Sequence, residues 1–296
     1  MQSTSALESF NQDHPVMYFR TSAWLSFVLL IAPLNPALAQ PPHPAATQLI
    51  DVDGHKIAFH VTPGHDPTIV LDAGGGLDST YWDTLVPELA RRTGSKVITY
   101  DRAGFGKSDD VGGDWNVHGA TRDLEVGLEK LHATHHVILV SHSLAGEIAT
   151  YLVGQHPDWF IGAVLVDANV PDYFTDEAIA RGQVLYAPLL AQIRAAPPTK
   201  SGRQLLALSG SFVATSREFH AKTWPDSVPV VVIVSEKTPL EDPADAQWWR
   251  DSHAQFAKHA PNRQFVTAVG SSHDVAHDRP EVILKAISAI TAGAPH

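Results

Sequence analysis

The chain has no cysteine among its 296 residues. That removes thiol nucleophiles, thiolate metal sites and disulfides together, so the fold must be held by its apolar core. Basic residues are few as well: 21 lysines and arginines against 32 aspartates and glutamates, a formal net charge of −11. Nucleic acids and anionic membranes need basic patches, so neither is expected as a partner. No internal repeat or low-complexity tract occurs. The glycine run Gly74-Gly75-Gly76 lacks the G-x-G-x-x-G spacing of a dinucleotide site, and no redox cofactor is expected. His132, His135 and His136 form H-x-x-H-H with no complementary carboxylate or cysteine spacing, which reads as a solvated loop and not a metal site.

A long apolar run is also missing. Ala23 to Leu34 is short and interrupted by Pro33, with Pro36 beyond, so it does not read as a membrane span. With Arg20 before it and Ala37-Leu38-Ala39 after it, residues 1–39 read as a secretory signal, with Met17 as an alternative start. The protein is therefore expected to be exported, periplasmic or secreted, with no membrane span after cleavage at Gln40.

What is present begins with a hairpin. Leu49–Val52 and Ile57–Val61 flank Asp53-Gly54, a tight-turn signal. Six further apolar runs come after it: Thr68–Asp72, Lys96–Asp101, His136–Val140, Gly162–Asp167, Val230–Val234 and Gln264–Val269. They are nearly continuous, as in strands covered on both faces. Between them lie helical periods such as Leu124, Leu128 and Leu131, or Val282, Ile283, Ala286, Ile287 and Ile290. The pattern predicts an α/β fold: a mostly parallel, doubly wound sheet with an antiparallel start. About sixty residues between Asp167 and Val230 break the rhythm, and predict a short helical cap over 171–225. The core then divides into 40–170 and 226–296.

Ligands of open parallel sheets bind beyond the carboxyl ends of the strands. The residues just past each strand are therefore the candidates: Ala73-Gly74-Gly75-Gly76, then Arg102 to Ser108, then Ser143, Asp167, Glu236, and finally Ser271-Ser272-His273-Asp274. Ser143 stands in Ser141-His142-Ser143-Leu144-Ala145-Gly146, a relaxed G-x-S-x-G turn between strand and helix. A serine hydroxyl needs an imidazole to take its proton, the imidazole needs a carboxylate, and the developing oxyanion needs two N–H donors. His273, a carboxylate, and the amides of Leu144 and Gly75 are the candidates for those roles.

On Tyr100–Ser108, the Ser143 turn and Gly270–Asp274, the chain resembles the α/β-hydrolase fold superfamily from about residue 48 onward. The resemblance implies an eight-stranded sheet, a cap inserted after the sixth strand, Ser143 as nucleophile and His273 as general base. It also implies a serine hydrolase without a cofactor, acting on a small or medium carboxylic ester. Relatives that cleave carbon–halogen bonds or epoxides use an aspartate where this chain has Ser143. Three departures stand out: Ser141 and Ala145 replace the two turn glycines, Ala73-Gly74 replaces a His-Gly, and Thr238 fills the usual aspartate slot. The acid is then Asp167, at the preceding strand end, or alternatively Glu236, with Glu241 and Asp242 further along. Trp82 and His142 are candidates for lining the substrate pocket. Amide, lactone or aminopeptidase-like hydrolysis uses the same residues, and a non-catalytic binding protein on this scaffold is the rival that the Thr238 slot favours.

Overall fold

The computed structural model describes residues 45–293. The signal segment 1–39 and the alternative start Met17 lie outside the described residues. Strands β1 (Ala46–Val52) and β2 (His55–Thr62) form the expected hairpin. Asp53 and Gly54 both take positive φ, 49° and 95°, the geometry of a two-residue turn that matches the strand twist.

Then come β3 (His65–Asp72), β4 (Ser95–Asp101), β5 (Val137–His142), β6 (Phe160–Val166), β7 (Val230–Ser235) and β8 (Arg263–Ala268). They make one eight-stranded sheet in the order β1-β2-β4-β3-β5-β6-β7-β8. The first two strands are antiparallel and β3 to β8 run parallel. Every residue of β5 and β7 is buried, which explains their unbroken apolar sequence.

Helices cover both faces. On one, α2 (Val117–Lys130), α3 (Ala145–Gln155) and α6 (Pro243–Lys258) bring Leu124, Leu128, Ile148, Leu152 and Phe256 onto Leu139, Leu165 and Val232. On the other, α1 (Leu85–Thr93) and the final helices, α7 (Val275–Asp278) and α8 (Pro280–Gly293), bring Leu85, Leu89, Ile283 and Ile287 onto Ile138, Val164 and Ile233. The start of α2 is fixed by the Asn116 side chain, which accepts from the Gly119 amide at 2.7 Å. Asp242 caps α6 in the same way, accepting from Ala244 and Asp245, with Pro243 in the first turn.

The interval between β6 and β7 holds two long helices, α4 (Asp176–Ala195) and α5 (Lys200–His220), each capped by a threonine, Thr175 and Thr199. Leu205 of α5 lies over the glycine loop after β3, within 3.7 Å of where a Cβ on Gly76 would stand.

Trp82 corrects an expectation. It sits just before α1, has no exposed surface, and packs with Leu85 and Leu89 in the core. It lines no pocket, because its ring fills the space between the sheet and the helices on that face.

Candidate active site

Ser143 comes directly after β5 and takes φ 54°, a left-handed conformation that costs on the order of 1–3 kcal/mol for a residue with a side chain. The turn is fastened on both sides: the Ser143 carbonyl accepts from Gly146 at 3.0 Å and from Asn169 at 2.8 Å. Small neighbours are required here. A Cβ on Gly146 would fall 2.2 Å from the Asn169 carbonyl oxygen, and one on Gly74 would fall 3.1 Å from the Ser143 Cβ.

Three predicted residues meet in a row. The Ser143 hydroxyl lies 3.0 Å from His273 Nε2, and His273 Nδ1–H donates to Asp167 Oδ2 at 2.6 Å. The carboxylate dictates the tautomer: with the proton on Nδ1, Nε2 is left as an acceptor for the serine hydroxyl. Asp167 is fully buried, one residue past β6, at φ 44°. Its Oδ1 accepts from the Ser235 amide at 3.0 Å and the Trp249 indole at 2.8 Å, and its Oδ2 also takes the Ser235 hydroxyl at 2.6 Å. Burial alone would push its pKa up; the hydrogen bond and charge of His273, with Ser235, overcome it and hold the carboxyl below its ordinary value.

The other carboxylates stand elsewhere. Glu236 accepts from the Gly270 amide at 2.5 Å and so braces the loop that carries His273. Asp242 is spent on its helix cap. Thr238 is occupied locally, its hydroxyl lying against the backbone of Leu240.

Leu144 and Gly75 face one another: a Cβ on Gly75 would lie 3.3 Å from Leu144 Cδ2. Neither amide donates to another group among the described residues. Leu144 also opens α3, whose N-terminal partial positive charge points at the same place.

Arg102 holds the other half of this arrangement, in a way the sequence does not reveal. Its position suggests that it pins the loop carrying Gly104 and Gly106, yet it turns inward instead. Its guanidinium donates to Asp72 Oδ1 at 2.6 Å and to the carbonyls of Ala73 and Gly74. Both partners are buried, so the pair anchors the glycine loop with its carbonyls turned toward Arg102. The loop after β4 is pinned instead by Asp101, which accepts from Lys107 and Ser79, and by Ser108 and Asp109, which accept from the amides of Ala58 and Lys56.

His142 is a second correction. It is 3% exposed, stacked on Tyr81 at 4.6 Å, and its Nε2–H donates to the His273 carbonyl at 3.0 Å. Burial and the neighbouring His273 push its pKa down to about 3, so it stays neutral at ordinary pH. Buried this way, it braces the backbone of His273 instead of reaching a substrate. Trp249 reads from the sequence as a packing residue, although a buried indole N–H requires a partner, and here it is Asp167.

Among the described residues no group of three or more His, Cys, Asp or Glu could hold a metal ion, and no helix is long and apolar enough to cross a membrane.

A family model described as alpha/beta hydrolase family matches residues 69–286, and the chain belongs to that family. Among curated relatives, it is 25% identical over 224 residues to the uncharacterized protein YqjL of Bacillus subtilis, covering 74% of this chain and 81% of that one. It is likewise 25% identical over 269 residues to a 2-(acetamidomethylene)succinate hydrolase of Mesorhizobium japonicum, covering 80% and 92%. Among solved structures, a bromoperoxidase from Bacillus anthracis superposes with a TM-score of 0.63 at 20% identity, covering 84% of this chain and 99% of that one. That last likeness speaks for the fold alone.

Proposed function

We propose that this hydrolase cleaves small or medium carboxylic esters through an acyl-enzyme. Ser143 attacks the ester carbonyl as His273 Nε2 takes its proton, and the tetrahedral oxyanion is held by the amides of Leu144 and Gly75. The imidazolium then protonates the departing alcohol. Water, deprotonated by the same imidazole, releases the acid. Asp167 keeps His273 in the productive tautomer and stabilises its charge. The observation that carries the reading is the chain of contacts from Ser143 through His273 to Asp167, 3.0 Å and 2.6 Å, beside two uncommitted amides.

Lactones, amides and aminoacyl compounds react through the same groups, and the hydrolase from Mesorhizobium japonicum is named for an acetamido substrate. The test therefore uses a panel: p-nitrophenyl esters from acetate to octanoate, a lactone series and aminoacyl amides, monitored from the first milliseconds. Ester turnover with an initial burst of about one p-nitrophenolate per protein is expected. A folded protein that turns over no ester in the panel would overturn the reading. The proposal extends to export, for which a mature protein beginning at Gln40 by N-terminal sequencing is the expected result.

A further inference from the structure

A cavity of about 110 Å³ lies among the loops past the strand ends, with Leu144 but not Ser143 in its wall. Its wall includes Gly76, Leu144, Arg102, Phe105 and Asp123, with Leu205 and Leu208 contributed by α5. Its frame is fastened. Lys200 donates to the carbonyls of Gly106 and Ser108, and Arg203 Nε donates to Asp110 at 2.9 Å, so the first turn of α5 is tied to the loop after β4.

Two buried side chains of its wall, Gln204 and Asp123, offer acceptors, alongside the N–H groups of Asn116 and Trp115. Gln204 is 6% exposed, and its amide nitrogen donates to Asp110 Oδ1 at 2.8 Å and to the Val111 carbonyl at 2.6 Å. Those two acceptors fix which end of the amide is nitrogen, and leave Oε1 without a hydrogen bond among the described residues. Asp123, also 6% exposed, takes His55 Nε2–H on Oδ1 at 2.7 Å, while Oδ2 has no partner among the described residues. Asp114 adds a second carboxylate. The one guanidinium in the wall, Arg102, is committed to Asp72 and two carbonyls. Phe105 and Trp115 supply aromatic rings, and much of the remaining wall is aliphatic.

We propose that this cavity, lined by Asp123, Gln204, Phe105 and Trp115, seats a short apolar chain ending in a protonated amine, so that the substrate carries an alkylammonium group. Carboxylates and aromatic faces together favour a cation over an alcohol or an anion. Burial pushes the Asp123 carboxyl up to about 6 while His55 acts against it. An arriving cation also favours the charged carboxylate. The assignment of this group to a substrate rests on the proposed hydrolase, because Leu144, whose amide is assigned to the oxyanion, also lines the cavity.

The test is a binding measurement that needs no turnover. Butylammonium, butanol and butyrate are titrated against the full protein by ligand-observed NMR, with the Ser143→Ala protein alongside. Butylammonium should bind at least tenfold more tightly than either analogue, to both proteins. Asp123→Asn should weaken ammonium binding about tenfold, and Leu208→Trp, which puts an indole into the cavity wall and leaves both acids in place, should abolish it. Equal or tighter binding of butanol or butyrate overturns the proposal. So does undiminished ammonium binding by Leu208→Trp, or by an Asp123→Asn protein with the parental melting temperature. An inactive serine would leave these binding results readable, so failure of the hydrolase reading and failure of this one are told apart.

Discussion

Asp167 and Val184 stand at opposite extremes of one molecule. Asp167 has no exposed surface and spends its two carboxylate oxygens on four protein donors, whereas Val184, on α4, keeps 75% of its surface open. Their neighbours behave likewise. Around the strand ends, His273, Ser235 and Trp249 all hydrogen-bond Asp167, and Ser143 lies within hydrogen-bond distance of His273; along α4, Leu185, Tyr186 and Leu189 present apolar surface outward. Precision is concentrated at the strand ends. Strand ends anchored in a buried sheet can keep a proton-transfer path in register, while a helix pair set above them offers apolar contact area whose details can vary at little cost to the fold.

Substitutions at the two regions should therefore separate in what they change. The largest effect is expected at Asp167: Asp167→Asn should lower kcat by about 10⁴ through the wrong imidazole tautomer. Glu236→Gln, which removes one brace on the Gly270 amide, should cost about tenfold at most. A reversal of that order in ester turnover would move the acid to Glu236. Next comes the core. Trp82→Ala should destabilise by about 3–5 kcal/mol in denaturant titrations while leaving KM unchanged, whereas a pocket residue would raise KM at full stability.

Arg102 probes the glycine loop. Arg102→Lys should reduce kcat by about a hundredfold, the scale of a displaced oxyanion donor, with KM changed far less; loss of KM alone would place Arg102 in substrate binding instead.

A smaller effect is expected at Glu147, in the first turn of α3. Its carboxyl is buried with Asn169 Nδ2 as partner at 2.7 Å, and burial pushes its pKa up to about 7. The folded state thus holds this proton more tightly than the unfolded chain, whose glutamate titrates near about 4.3. Stability contributed by the protonated acid is full below that value and is lost as pH rises toward 7. Glu147→Gln should accordingly raise the melting temperature at pH 8, by the equivalent of about 1–3 kcal/mol, and change it little at pH 4. The smallest effect belongs to α4: Val184→Ser should shift stability by about 0.5 kcal/mol or less, with any change confined to the chain-length profile of the esters.

Much of this architecture is legible in the sequence because it is local. Each strand end is marked by the residues immediately past it, so Ser143, Asp167 and His273 can each be placed at the carboxyl edge before any distance is known. The vacant slot at Thr238 is legible only through the resemblance to the α/β-hydrolase fold, and it directs attention to Asp167. Contacts between side chains from distant elements leave no such mark. Nothing in the run from Pro243 to Lys258 says that Trp249 reaches back to Asp167, or that Arg102 turns toward Ala73 and Gly74 and away from its own loop. Trp82 misleads for a different reason: a large aromatic residue past a strand end suits a pocket wall and a core equally, and only its packing with Leu85 and Leu89 decides between them. His142 misleads because a histidine beside a nucleophile suggests reach, while its direction is set by the His273 carbonyl.

The most direct test of the central claim is intact mass after exposure to a fluorophosphonate, with Ser143→Ala alongside. An activated serine predicts a single adduct per protein that is absent from the variant and greatly slowed in Asp167→Asn. A folded protein that forms no adduct, or one whose adduct survives Ser143→Ala, would contradict it.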